Sequence, residues 1–442
     1  MARLIDETTL QQRLEIGAQA KGGESDREIA TAMGLSRWTV RKWRRRYQKA
    51  GRAGLASVMG RPATGALGSI APALREAIHE MRCTHTGWGP QSILTELAKA
   101  PEWAGQPLPG RSRIAAYLRQ ADLTRPYAHH TELLPPVIEP SAAAHATWEL
   151  DAQGVVQVTG LGAVSVINIV DPISRVRVES YPCVHSRKPA TADYQLACRR
   201  AFLAYGRPQV LSLDHDSVFY DNACASPFPS RFHLWLIGLD VQVEFIAQPP
   251  PAAHACIERM HTLMYQQAVA GQTFPDAGAC QQTLDARRDF LNQDYPSRSL
   301  GGQPPLVANP TARHSGRGYD PYQEAQLWDS QRVTVYLTRH HWFRTVSAQG
   351  QFSLGAQTYG LGHEWANQSI EVTFAADTYS FCCRSADGQR TVQVVARGLS
   401  AAELMGELPP WTQLPAYQRR LALSPETRRE AELYQAMTGT TL

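Results

Sequence analysis

One acidic residue lies in the middle of a strongly apolar strand pattern, and this stretch constrains the fold more than any other. Residues 148–157 surround Asp151, and residues 161–171 form a second run rich in apolar and β-branched side chains. Thr159 and Gly160 separate the two runs, which predicts a β-hairpin. A carboxylate inside a strand must be solvated, paired with a cation or bound to a metal. The pattern around Asp151 alone does not distinguish an acid that faces water from an acid that belongs to a functional site.

Two later stretches favour a functional site. Residues 209–214 form a short apolar run that ends in Asp214, and residues 241–246 predict a strand, followed by a proline-rich loop and a helix that contains Glu258. Acids in such positions can converge in an α/β fold. Their oxygen atoms suit Mg²⁺ or Mn²⁺. Two such ions can stabilise the entering and leaving oxygens of an in-line phosphoryl displacement.

In order along the chain, four motifs resemble the integrase core of the DDE transposases and retroviral integrases, which has an RNase H-like fold. They are Trp148-x-x-Asp151, Asp214 to Phe219, His254 to His261 and residues 292–304. The resemblance covers about residues 145–310 and fits a bacterial insertion-sequence branch best. It implies that Asp151, Asp214 and Glu258 are catalytic and hold two Mg²⁺ or Mn²⁺ ions, and it places Arg259 near DNA phosphate or an acid.

The motifs depart from the family at two places. His215 and Asp216 replace an Asn-Gly pair, and His254 and Ala255 replace another. Asp216 is a candidate substitute ligand. By position, Glu149 is a candidate support of the site, and Asp171 and Glu244 are expected to be surface acids. His254 and His261 lie on one helical face with Glu258, where they either contact phosphate or cap and support the site through hydrogen bonds.

The N-terminal residues 8–50 predict three helices. Ser25 and Glu28 form a capping box that opens the second helix, Gly34 ends it, and Ser36 caps the third. Two short helices joined through a glycine turn are typical of the helix-turn-helix motif.

The third of these helices carries seven cations between Arg37 and Lys49 and no acid. Such a run is either a solvated basic face or a surface that neutralises DNA phosphates. In the second case, the residues that can reach base edges or phosphates of a major groove are Arg37, Trp38, Thr39, Arg41, Lys42, Arg44 and Arg45.

A second helical module is predicted beyond a linker rich in glycine and alanine. It resembles the second helix-turn-helix module of the same transposases, and its candidate DNA contacts are Arg111, Arg113 and Arg119. After the core, residues 311–326 predict a linker, residues 332–337 the first of five short strands of a small barrel, and residues 339–344 a basic aromatic loop.

Composition narrows the class of protein. The chain has 442 residues, a net charge of +4 and eight cysteines without a Cys-x-x-Cys pair. This predicts about three domains, a reducing cytosol and neither a zinc knuckle nor a disulfide framework. The N-terminus shows no apolar signal region, and no apolar run is long enough for a membrane span. We expect a cytoplasmic protein associated with a bacterial nucleoid.

The predicted fold class is multidomain, with N-terminal all-α helix-turn-helix modules, a central α/β RNase H-like core and a C-terminal small β-barrel with a helical tail. The predicted boundaries are 1–55 and 67–127 for the two DNA-binding modules, 145–310 for the core, 327–398 for the barrel and 399–442 for the tail.

The resemblance implies a DNA transposase or integrase. It would bind element ends, nick their 3′ ends and transfer the strands into target DNA as a homo-multimer on paired ends. The involvement of an accessory ATPase is left open. The alternatives are a DNA-binding regulator or inactive integrase relic, favoured by the altered residues beside Asp214 and Glu258, and a nuclease that only cuts.

Overall fold

Three short helices around a small apolar core form the first part of the chain. In the computed structural model, residues 8–56, 71–124, 143–183, 188–222, 224–246 and 255–406 are described, and residues 1–69 and 70–442 make two units. The helices of the first unit are α1 (Leu10–Lys21), α2 (Asp26–Met33) and α3 (Arg37–Ala50). Their shared core is formed by Ile16, Ile29, Ala30, Val40, Trp43 and Leu55.

Local hydrogen bonds set the boundaries of these helices. The Ser25 backbone N–H donates to the Glu28 carboxylate at 2.8 Å, which completes the predicted capping box. Gly34 ends α2 with φ = 61°, a left-handed conformation that favours glycine. The Ser36 hydroxyl accepts from the Thr39 N–H at 3.1 Å and starts α3. The predicted helix-turn-helix motif is therefore confirmed.

The second unit begins with three further helices, as the sequence predicts. They are α4 (Pro72–Thr84), α5 (Pro90–Lys99) and α6 (Arg111–Gln120). Proline opens both α4 and α5, where its fixed φ suits the first helical turn.

A five-stranded mixed sheet forms the centre of the second unit. Its strands are β1 (Thr147–Val158), β2 (Gly162–Val170), β3 (Arg177–Pro182), β4 (Val210–Leu213) and β5 (Gln242–Phe245). The order is β3-β2-β1-β4-β5. The first three strands are antiparallel, whereas β4 and β5 run parallel to β1. The predicted hairpin is β1 and β2, and the mixed α/β core is confirmed.

Helices cover this sheet. They are α7 (Thr191–Tyr205), α8 (Arg231–Gly238), α9 (Ala255–Met264), which continues into a π-helical turn (Tyr265–Val269), and α10 (Ala277–Gln293). Trp148 of β1, Phe202 of α7 and Trp235 of α8 are fully buried against one another. This aromatic core fixes the strand on which Asp151 lies.

The predicted linker 311–326 is wrong, because much of it packs into the core. Between α10 and this segment lies α11 (Pro305–Ala308), and α12 (Glu324–Leu327) ends it. The fully buried Glu324 accepts two hydrogen bonds of 2.7 Å from Arg199 and one of 2.9 Å from the Trp235 indole. A buried carboxylate needs such partners, and they tie the segment to α7 and α8.

The strand predicted at 332–337 is also wrong. These residues lie in α13 (Ser330–Thr338), which Asp329 caps by accepting from the Gln331 N–H. Val333 and Leu337 are buried whereas Val335 is 40% exposed, which is the spacing of a helix face rather than of a strand.

Six strands follow α13 among the described residues. They are β6 (His341–Thr345), β7 (Gln351–Leu354), β8 (Gln357–Gly360), β9 (Ser369–Ala375), β10 (Ser380–Ser385) and β11 (Thr391–Val395). They make a four-stranded antiparallel sheet, β11-β10-β9-β6, and a two-stranded sheet, β7-β8. The basic aromatic stretch predicted as a loop is largely β6, with Trp342 buried. Closure of these sheets into a barrel stays a prediction.

A short helix, α14 (Ala401–Met405), is the last described element. The rest of the predicted helical tail and the proline-rich loop with His254 lie outside the described residues. None of the described helices is long and apolar enough to cross a membrane.

Candidate active site

Asp151 and Asp214 are brought together by the pairing of two parallel strands. Thr147 pairs with Val210, Trp148 with Leu211 and Glu149 with Ser212. Continuing this register by two residues places Asp214, just beyond β4, beside Asp151. Neighbouring strands lie about 4.8 Å apart, so the two residues lie side by side at the carboxyl end of β4.

Burial and neighbouring negative charges together raise the pKa of Asp151 to about 7. Partial burial is the largest cause, and the charge of Asp214 is the next. Asp216 and Glu258 raise the pKa further, whereas a hydrogen bond from the Ala152 N–H, at 2.7 Å, lowers it. Asp214, Asp216 and Glu258 therefore all act electrostatically on Asp151.

Helix α9 supplies the third acid. Glu258 is exposed in its first turn, while Ile257, Met260 and His261 are buried. One turn beyond Glu258, the His261 Nδ1 lies 3.8 Å from the Asp151 Oδ2. His261 therefore lies against β1 in the supporting place that the sequence suggested, while Glu258 acts on Asp151 through its charge.

Glu149 holds the start of α9. It lies two residues before Asp151 on β1 and is only 7% exposed, and its Oε2 accepts from the Ile257 N–H at 3.0 Å. The pKa of Glu149 is raised to about 7, mainly by burial. The hydrogen bond from the Ile257 N–H and the charge of Arg175 act in the opposite direction and lower this pKa. Since Ile257 directly precedes Glu258, this bond links the first strand to the third acid.

The residues after Asp214 form a tight turn. The Asp216 N–H donates to the Asp214 Oδ1 at 3.0 Å, and the Val218 N–H donates to the Asp216 Oδ1 at 3.1 Å. Lys188 donates to the Ser217 hydroxyl at 3.2 Å, so a cation lies next to this turn. Sequence analysis missed Lys188, which belongs to none of the motifs.

Asp171 is not the surface acid that the sequence suggested. It is fully buried, and it accepts from the His145 N–H at 2.9 Å, the Ile173 N–H at 2.9 Å and the Ser174 hydroxyl at 2.6 Å. These bonds close the end of β2 and join it to the segment before β1. Asp171 is thus structural, whereas Glu244 is exposed as expected.

The chemistry of the acidic cluster fits a hard divalent cation. Its donors are carboxylate oxygens. A bound cation would offset the burial of the Asp151 charge and its repulsion by Asp214, which are the two largest causes of the raised pKa of Asp151. In the part of the chain that the structure describes, no three histidine, cysteine, aspartate or glutamate side chains are already gathered as a metal site. Binding would therefore have to draw the carboxylates closer together.

The predicted DNA-contacting residues of α3 divide into two groups. Arg37, Trp38, Arg41, Lys42 and Arg45 are exposed, with Trp38 at 82%. Arg44 is half-buried and pairs with Asp26 at 3.1 Å, and Thr39 hydrogen-bonds to Ser36 at the helix start. Arg41 also lies 3.8 Å from the Asp26 carboxylate but stays exposed. An exposed face of four cations and one indole remains available to an anionic partner.

The other predicted DNA contacts lie on α6 and α9. Arg111 and Arg119 are exposed at the two ends of α6, while Arg113 is half-buried. Arg259 is exposed beside Glu258. Their contact with DNA stays a prediction.

Comparison with known proteins gives family-model matches to the N-terminal helices and similar solved structures. A helix-turn-helix domain model matches residues 12–63, and a homeodomain-like domain model matches residues 39–118. Similar solved structures include the catalytic core domain of BIV integrase, with 14% identity over 38% of this chain and 96% of that chain, at a TM-score of 0.28. The HTLV-2 integrase catalytic core domain in complex with magnesium is 12% identical over 37% of this chain and 95% of that chain, at a TM-score of 0.28. A simian T-cell lymphotropic virus intasome in complex with the PP2A regulatory subunit B56 gamma is 11% identical over 73% of this chain and 99% of that chain, at a TM-score of 0.30.

Strand order, rather than these scores, carries the fold assignment. Three antiparallel strands followed by two strands parallel to the first, in the order β3-β2-β1-β4-β5, make the RNase H-like arrangement that the motifs implied. A helix-turn-helix region followed by this core supports the resemblance of the chain to the DDE transposases and integrases.

Proposed function

We propose that the chain is a DDE-type polynucleotidyl transferase that nicks the 3′ ends of a DNA element and joins them to target DNA. The observation that carries the proposal is the electrostatic effect of Asp214 and Glu258 on Asp151, which lies on the central strand of an RNase H-like sheet. Like charges about 4 Å apart repel by roughly 4 kcal/mol at an effective dielectric near 20. A protein that only binds DNA has no use for this repulsion.

Each residue of the site has a separate task in this proposal. Asp151, Asp214 and Glu258 would hold two Mg²⁺ or Mn²⁺ ions, which, when bound, activate the attacking oxygen and stabilise the leaving oxygen. His261 orients Asp151 from the buried face of α9. Glu149 fixes the first turn of α9 and thereby Glu258. The aligned attack of water or of a 3′-OH on phosphate requires no covalent protein intermediate.

DNA recognition belongs to the helical modules. The exposed cations of α3 would contact phosphates, and Trp38 lies where it can reach the groove. We further propose a homo-multimer that holds paired ends.

Charge-neutral substitutions test the proposal directly. Asp151→Asn, Asp214→Asn and Glu258→Gln should each abolish strand transfer, because each removes one charge that a cation needs, while binding of the DNA ends stays near that of the wild type. Asp216→Asn is the matched control and should retain measurable activity. Near wild-type strand transfer in any of the first three variants rejects the catalytic assignment of that residue.

A DNA-binding regulator is the second candidate. The substitution of His215 and Asp216 for the Asn-Gly pair beside Asp214 favours it. The two candidates differ in one outcome, because a regulator binds authentic ends without nicking or joining them in either Mg²⁺ or Mn²⁺. Nicked product without joined product would instead identify a nuclease.

A further inference from the structure

The helix that carries Glu258 is held at its far end by the second helical module, which comprises α4–α6. The contact lies at the π-helical turn after α9, where Gln267 is 5% exposed. Its side-chain amide donates to the Ser92 hydroxyl at 2.9 Å, and its Oε1 accepts from Arg287 at 2.8 Å. The Trp88 indole donates to the Gln267 carbonyl at 3.1 Å. Three partners, two of them in the module, therefore fix one residue of this turn.

The surrounding surfaces fit closely. A Cβ atom added to Gly87 would lie 1.8 Å from the Gln266 carbonyl oxygen, so the two backbones approach as only glycine permits. On either side, the Thr86 hydroxyl donates to the Ala270 carbonyl at 3.2 Å, and the Gln272 side chain donates to the Thr84 carbonyl at 3.0 Å. The module is thus docked by backbone and side-chain contacts together.

A cation completes this junction. The Arg287 guanidinium lies 4.4 Å from the centre of the Trp88 ring and 3.9 Å from that of Phe290. It also pairs with Glu96 of α5 at 2.5 Å. Arg287 therefore joins the module, α10 and the π-helical turn in one contact, which stabilises the docked position.

We propose that Gln267 is a positioning residue, through which the docked module sets the place of Glu258 in the acidic cluster. Glu258 lies nine residues before Gln267, about 13 Å along a helix at roughly 1.5 Å per residue. Glu149 fixes the near end of α9, and Gln267 fixes the far end. Movement of the module then shifts α9 relative to β1, and with it the third carboxylate relative to Asp151.

This inference rests on the proposed function only for the role of Glu258, so its first test does not measure enzymatic activity. Hydrogen exchange of the backbone amides of residues 255–264 is measured in the metal-free full-length protein. Gly87→Ala and Gln267→Leu should accelerate exchange there at least tenfold. The matched controls are Gly89→Ala, where an added Cβ meets nothing within 4 Å, and Gln266→Ala, which removes an exposed side chain. Both should exchange like the wild type.

A second measurement separates positioning from general stability. Amides of α7 should keep wild-type exchange in all four variants. In strand transfer, Gln267→Leu should raise the half-saturating Mg²⁺ concentration at least fivefold and leave the affinity for DNA ends within twofold. Unchanged exchange in residues 255–264, or equal acceleration in α7, overturns the inference. Failure of the wild type to join ends would instead count against the proposed function and leave the exchange test intact.

Discussion

Replacing Glu149 with glutamine should make the protein more stable at neutral pH and leave it unchanged in acid. Burial raises the pKa of Glu149 from 4.5 to about 7, and the side chain is 7% exposed. The difference corresponds to about 3 kcal/mol, since one pKa unit equals about 1.36 kcal/mol. Glutamine keeps an oxygen that accepts from the Ile257 N–H, and it has no charge to bury.

The sign follows from the raised pKa. Below pH 4.5, Glu149 is protonated in both the folded and the unfolded protein, and the variant gains nothing. Between pH 4.5 and about 7, only the unfolded chain releases its proton, so the folded wild type loses stability as the pH rises. The free energy of unfolding of Glu149→Gln should therefore exceed that of the wild type by up to about 3 kcal/mol above pH 7.

Urea unfolding in EDTA, followed by tryptophan fluorescence, measures this difference at intervals from pH 4 to pH 8. Trp148 and Trp235 lie in the aromatic core and report its unfolding. Glu244→Gln, at an exposed position of β5, controls for the removal of a carboxylate. A difference between wild type and Glu149→Gln that stays constant over the whole pH range would refute the argument from burial.

Two further predictions concern charge. Arg41→Ala, Lys42→Ala and Arg45→Ala should each weaken binding of DNA ends and lower the salt slope by roughly one unit, whereas Gln48→Ala should not; an unchanged slope in the triple variant would place α3 away from DNA. Asp216→Asn should lower the pKa of Asp151 below about 7, because one of the neighbouring negative charges is removed, although burial and Asp214 remain the larger causes. Carbon-13 NMR titration of the aspartate carboxyls measures this pKa, and an unmoved value would show that Asp216 does not act on the site.

Local patterns made much of the architecture predictable. The capping box at Ser25 and Glu28 and the glycine at position 34 specify the helix-turn-helix boundaries from a few adjacent residues. Strand patterns around Asp151 and before Asp214 likewise identified two of the acids and their strands. In both cases, the information lies within about ten residues of the chain.

Tertiary contacts decided what the sequence patterns could not. Val333, Val335 and Leu337 alternate like a strand, and only the Asp329 cap and the burial of Val333 and Leu337, but not of Val335, show a helix. Asp171 can be buried because the N–H of His145, 26 residues earlier, donates a hydrogen bond to its carboxylate. The docking of Trp88 on Gln267 joins residues 179 positions apart, beyond the reach of any local pattern.

The electrostatic cluster was predictable only as a motif. Sequence resemblance named Asp151, Asp214 and Glu258, and position suggested Asp216, Glu149 and His261. The contacts that these side chains make depend on the β1–β4 register and on the packing of α9. The roles of these residues in catalysis remain predictions.

Strand transfer by the purified wild-type protein tests the central claim most directly. The full-length protein is incubated with a labelled authentic element end, a target plasmid and Mg²⁺, and the covalent joining of the labelled 3′ end to plasmid is measured. Our account predicts a joined product that depends on Mg²⁺ or Mn²⁺ and is absent with Asp151→Asn. Tight binding of the authentic end, with neither nicked nor joined product in either metal, would contradict it.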